Sequence, residues 1–139
     1  MRFMMIMFPG KTADATPITN SPDIVEKMKA MIAYNEALQK AGILLALDGL
    51  HQSKEGARVR AAGGKKTITD GPFTEAKEIV GGYWIIQVRS REEALEWAKR
   101  IPLEHENPDA FVEVRQIYDM AEFPAEVQKL AEPLVEARK

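Results

Sequence analysis

Three carboxylates and a lysine fall within nine residues of this chain, Asp70-Gly71-Pro72-Phe73-Thr74-Glu75-Ala76-Lys77-Glu78. Carboxyls crowded into a partly buried site repel when both ionise. One of them then keeps its proton near neutral pH and can serve as a general acid, while its neighbour serves as a base. Asp70 and Glu75 are the candidates for that work. Lys77 can neutralise a carboxylate or hold an anionic substrate, and Glu78 completes the polar group. Extended backbone sends Glu75 and Lys77 one way and Glu78 the other, so the segment must bulge or coil to bring all three to one pocket. The same residues admit a structural reading. Asp70 caps the turn, Gly71 supplies a special backbone angle, and Glu75, Lys77 and Glu78 form a salt-bridged edge.

The other residues able to do chemistry are scattered. His51 follows Asp48-Gly49-Leu50 at a predicted strand end, and an imidazole titrating near ~6.5 suits proton transfer. Asp48 is its candidate orienting partner, although a strand places the two on opposite faces. The plainer reading of His51 is a solvated loop residue. Arg58 and Arg60 share one strand face, as a clamp for a carboxylate or phosphate or as a solvated hairpin surface. Arg115 and Glu113 on the last strand read as an ion pair. Tyr34 and Tyr83 can donate to a ligand or simply pack half-buried.

Several chemistries are excluded. The chain has no cysteine, which removes disulfides, thiolate nucleophiles and Cys-ligated zinc or iron–sulfur clusters. Its two histidines, His51 and His105, are isolated. No metal site is expected from them, and Asp70, Glu75 and Glu78 alone make a weak oxygen site at best. Gly63-Gly64 does not precede a helix as a nucleotide-binding loop requires, and no Gly-x-Ser-x-Gly elbow is present. No cofactor is expected, and cofactor-free proton transfer is the chemistry that remains.

With 45% hydrophobic and 29% charged residues, the 139-residue chain has the composition of one globular domain rather than a disordered segment. The net charge of −2, with no basic block, gives nucleic-acid binding no electrostatic support. No run approaches the ~20 apolar residues of a membrane span. The Met-rich start, Met1 to Phe8, reads as a buried strand with Met4, Met5 and Met7 as core filling. No small-residue cleavage site follows it, so it does not read as a signal peptide. The expected location is the cytoplasm.

The elements that must position these residues follow from periodicity. Arg2 to Phe8 is a continuous apolar strand that Pro9-Gly10 ends, and residues 11–21 read as a loop. Ser21-Pro22 is a helix start, with Ile24, Met28, Met31, Ile32 and Leu38 as its buried stripe and Gly42 as its stop. Ile43 to Leu50 is a second strand. Ala57 to Ala61 and Lys66 to Thr69 form a hairpin about Gly63-Gly64. Val80 to Val88 is a third long strand. Ser90 with Glu93 is a capping box opening a helix whose apolar face is Ala94, Trp97, Ala98 and Ile101. Phe111 to Tyr118 is the last strand, and Pro124 to Lys139, which contains Pro133, is a weak tail helix or two short ones.

The order predicts an α+β fold, the ferredoxin-like βαββαβ plan with an added hairpin. Residues 1–120 form the domain and 121–139 a helical tail. Two helices cover one face of the sheet. The other face, also apolar, calls for a partner, and a homodimer through that open face is expected.

Taken together, the nonapeptide, Gly81-Gly82-Tyr83-Trp84-Ile85-Ile86, Ala94-Leu95-Glu96-Trp97-Ala98 and Glu113-Val114-Arg115-Gln116-Ile117 resemble the YCII-related proteins, in their DGPF-signature branch. The upstream Gly42-Ile43-Leu44-Leu45 and Gly56-Ala57-Arg58-Val59-Arg60 are similar too. The resemblance covers about residues 1–118. It implies a ferredoxin-like fold, dimerising into an α/β-barrel-type assembly, and a cleft between helix and sheet where the signature residues gather. It also implies a regulatory setting, since some relatives are encoded beside extracytoplasmic-function sigma factors. A His–Asp pair attributed to simpler relatives does not transfer, because residues 22–41 hold no histidine.

Two functions are carried forward. In the first, the chain binds a small polar or anionic molecule and performs acid/base catalysis of the lyase or isomerase type. Asp70, Glu75 and His51 would then act on a substrate held by Arg58, Lys77, Glu78, Tyr34 and Asp48. In the second, the same pocket serves a non-catalytic ligand-sensing or partner-binding module in transcriptional regulation.

Overall fold

The computed structural model describes residues 1–103 and 107–137. The apolar run Arg2–Phe8 forms β1, and β1 sits inside a four-stranded antiparallel sheet. The order is β2-β5-β1-β6, with β2 at Leu44–Gly49, β5 at Gly82–Gln87 and β6 at Phe111–Gln116. The architecture is α+β. Register decides which side chains share a face. Met5 lies opposite Trp84 and Val114, and Phe3 lies opposite Ile86. These residues meet α2, Ile24–Lys40, and α3, Arg91–Lys99, in one apolar cluster. Phe3, Met5, Leu38 and Ile86 are 2% exposed or less. On the opposite face Met4, Ile6, Tyr83 and Ile85 are only part-buried.

Residues 11–21 depart from the loop expected of them. They hold a five-residue helix, α1 at Lys11–Ala15, and a 3-10 turn over Ile18–Asn20. Neither buries a residue, so apolar periodicity had nothing to register. The next helix begins at Ile24, two residues past the proposed Ser21-Pro22 start. The Ser21 hydroxyl donates to the Asp23 carboxylate instead of capping an amide, and that bond is the main cause of a lowered Asp23 pKa. The buried stripe of α2 is also narrower than expected. Tyr34 and Leu38 are buried, while Met28 and Ile32 stay 38% and 48% exposed. Positions 24, 27, 31, 34 and 38, all part-buried or buried, follow one line of alternating three- and four-residue steps flanked by part-buried Asn35 and Ala37, and residues 28 and 32 are exposed beside it.

The stop at Gly42 follows the expected chemistry, and the start at Ser90 follows it in part. Gly42, at φ 72, ends α2 with its N–H on Gln39 O, and the Ile43 N–H reaches back to Leu38 O. Ser90 Oγ accepts from the Glu93 N–H at 3.1 Å, while the Glu93 carboxylate accepts from the Arg89 N–H rather than from that of Ser90.

β3, Ala57–Ala62, and β4, Lys65–Asp70, form a separate two-stranded ribbon. Gly63 and Gly64, at φ 57 and 78, make the paired positive-φ turn that matches the twist of such a ribbon. Val59 faces Ile68 across it, and the two are 63% and 71% exposed. The chain ends in α4, Ala125–Ala137, which runs through Pro133 and leaves Leu130 and Leu134 81% and 71% exposed.

Candidate functional site

The signature segment begins where β4 ends. Its Gly71 has no positive φ. The reason for glycine there is room, since a Cβ would lie 1.8 Å from the Ser53 carbonyl oxygen. The special backbone angle expected of Gly71 is therefore replaced by a close approach between two backbones. The Gly71 N–H donates to Gly56 O at 2.9 Å, and the Phe73 N–H donates to Ser53 Oγ at 3.0 Å. Ser53 Oγ in turn donates to the Asp14 carboxylate, which also accepts the Ser53 N–H at 2.7 Å. The Gln52 amide donates to Asp14 O at 2.6 Å. Three segments far apart in sequence, α1, residues 52–56 and residues 71–73, are thus joined at Ser53.

Beyond Phe73 the chain coils through a 3-10 turn, Ala76–Glu78, and buries Ile79 at 2% exposure. The Arg58 guanidinium lies 3.7 Å over the Phe73 ring, with Nη1 3.4 Å from Glu78 Oε2. A cation over an aromatic face and against a carboxylate is held in place from two sides.

The signature loop separates two clefts. One, about 390 Å³, has an apolar lining of Leu50, Phe73, Ile79 and Val80. His51, Ser53, Glu55 and Glu78 supply its polar groups. The other, about 360 Å³, is lined by Glu75 and Lys77 together with Lys11, Asp109 and Phe111. Even with the segment coiled, Glu75 and Lys77 face one hollow and Glu78 the other, as a two-residue period would have them.

The remaining candidates fall elsewhere. Asp70 is exposed at the end of β4, paired with Ala57, and lines neither cleft. Asp48 accepts from the Tyr83 hydroxyl at 3.2 Å, which raises the Tyr83 pKa; no hydrogen bond among the described residues joins Asp48 to His51. Tyr34 is in the core, edge-on to Trp84 at 5.8 Å, with its hydroxyl donating to Trp97 O at 2.8 Å. Burial pushes its phenol up to about 12. Arg60 is exposed on the ribbon, Arg115 is paired with Glu113 at 3.5 Å, and His105 lies outside the described residues. Among the described residues no group of three or more His, Cys, Asp or Glu could hold a metal ion.

Asp14, Ser53, Lys11 and Asp109 were missed in the sequence. Ser53 meets Asp14 across 39 residues, and a single polar residue in a loop carries no local sign of such a partner.

A family model, described as the YCII-related domain, matches residues 1–121. This chain belongs to the YCII-related family. An uncharacterised protein of Rhizobium meliloti (strain 1021) is 32% identical over 101 residues, which span 70% of this chain and 80% of that protein. The YCII-related match takes in both clefts and the whole four-stranded sheet, and it stops before α4. No helix among the described residues is long and apolar enough to cross a membrane.

Proposed function

We propose that this YCII-related protein, of the DGPF-signature branch, binds a small polar molecule in the cleft between residues 50–56 and the signature loop. The supporting observation is the lining itself, in which four apolar residues are accompanied by a few convergent polar groups, the usual form of a small-ligand site. His51 is the imidazole of that lining and the candidate proton carrier, with Glu55 and Glu78 as carboxylate partners. Cofactor-free proton transfer of the lyase or isomerase type then centres on His51, with Asp70 outside the site and Glu75 across the loop.

One observation favours the second reading, a ligand-sensing module in regulation. Arg58, which touches the cleft residues Glu78 and Phe73, is already engaged by both, so binding without turnover is the simpler use of the site.

The strand order, with α2 and α3 on one face, supports the ferredoxin-like plan for residues 1–120, leaving 121–139 as a helical tail. The part-buried apolar residues of the open face support a homodimer of the α/β-barrel type, and the lack of cysteine supports a cytoplasmic setting.

A thermal-shift screen of native protein beside His51→Gln, Glu78→Gln and Asp70→Asn tests the site. A ligand at about 100 times its Kd stabilises by roughly 2.7 kcal/mol, a rise of a few degrees in Tm for this size. The hit should vanish in the first two variants and persist in Asp70→Asn. A hit indifferent to His51 and Glu78 would sink the assignment. Turnover of the hit separates enzyme from sensor. A monomer by size exclusion with light scattering at micromolar concentration would sink the dimer.

A further inference from the structure

The cleft on the other side of the signature loop has a different chemistry and a rigid frame. Three walls are fastened to the end of β1. Asn107 Nδ2 donates to Pro9 O at 2.9 Å, and its Oδ1 accepts from the Asp109 N–H at 3.1 Å. Gly10, at φ 91, leaves the space that the Asn107 amide fills, since a Cβ there would lie 2.7 Å from Nδ2. Phe111 stacks on Phe8 with ring centroids 4.5 Å apart. The signature wall is fastened just as closely. The Gly81 N–H donates to Met7 O at 2.8 Å, and a Cβ on Gly81 would lie 2.9 Å from the Pro9 ring.

Into this frame project Lys11, Lys77, Glu75 and Asp109, two cations and two carboxylates. The ion pairs among the described residues are Lys27–Asp23, Lys29–Glu26, Arg58–Glu78, Lys99–Glu96 and Arg115–Glu113, and none of the four takes part. A ligand of one charge sign would meet two opposing groups and two repelling ones, and the repulsion selects against it.

The geometry points to a second binding site here, for a small zwitterion carrying an ammonium and a carboxylate. The carboxylate binds between Lys11 and Lys77, the ammonium turns toward Glu75 and Asp109, and the connecting carbons rest on Phe111 and Pro108. All four charged side chains are exposed, so each contact is modest and salt-sensitive. This site is independent of the one at His51.

The test is an amide NMR titration of the full chain with β-alanine and γ-aminobutyrate, with succinate and putrescine as single-sign controls. The zwitterions should shift Lys11, Ala76, Lys77 and Asp109 saturably. Their Kd should weaken about fivefold in Lys77→Gln and in Glu75→Gln, the loss expected for one exposed charge pair, and stay unchanged in His51→Gln. Three results would overturn the proposal. Either single-sign control shifts the same amides as strongly, the zwitterions move none of them, or Kd is indifferent to both substitutions. Since these side chains carry no core packing, the variants remain folded and each outcome is readable.

Discussion

The sheet with its two helices and the signature loop with its ribbon are held together by different physics. In the first, Phe3, Met5, Leu38 and Ile86 are withdrawn from water almost completely, and burial of apolar area is the main stabiliser. In the second, all of β3 and β4 apart from Arg58 is exposed, and the order comes from hydrogen bonds at Ser53, a stacked Arg58 and a backbone contact that only glycine permits. Candidate chemistry sits in the weakly buried region, positioned by the strongly buried one. A site can thus change its polar groups without disturbing the core that supports it.

Mutation separates the two regions. Leu38→Ala should cost about 3 kcal/mol, the loss of a fully buried side chain plus its cavity, measured by urea unfolding. A loss under about 1 kcal/mol would mean the core is no better packed than the loop.

Alkaline pH is a second probe of the core. Folding holds the Tyr34 phenol at about 12 against its usual 10.0, so the folded state keeps that proton more tightly than the unfolded chain does. The resulting stability is complete below pH 10 and drains away as pH rises from 10 toward 12, by about 2–3 kcal/mol. Tyr34→Phe should flatten that part of the stability profile. An unchanged slope in the variant would assign it to other groups.

Gly71→Ala tests the second region. Its new methyl must displace the Ser53 backbone, at about 2 kcal/mol by the measure of overpacked sites. Faster amide exchange should appear at Phe73 and residues 53–56 but not in β1 or β5. Exchange rising equally throughout would show that the two regions unfold as one. The smallest effect should be Ile68→Ala, within about 0.5 kcal/mol in a thermal melt, because the side chain is 71% exposed.

The same division explains what could be read in advance. The bounds of β1 are legible because six of its seven residues are apolar and Pro9-Gly10 stops them. Gly42, Gly63-Gly64 and Ser90 are legible because their requirements are local. α1 is not, because its anchor at Asp14 is made by a serine 39 residues away. Gly71 stands in a recognisable signature, yet its reason for being glycine lies in the backbone of Ser53. A two-residue period sets Glu78 apart from Glu75 and Lys77, but the hollow on each side is not local to the segment, since Lys11 and Asp109 reach the second from distant parts of the chain. The family signature located the region; only the fold shows which residues gather there.

The ribbon has a mechanical consequence. Six cross-strand pairs run from Ala62 and Lys65 at its tip to Ala57 and Asp70 at its base, a stiff rod of roughly 20 Å. Its base is fastened at Gly56 and Gly71, which are bonded to each other and lie against Ser53. A load on the exposed tip is thus delivered to the backbone around Ser53, which lines the His51 cleft and not the other.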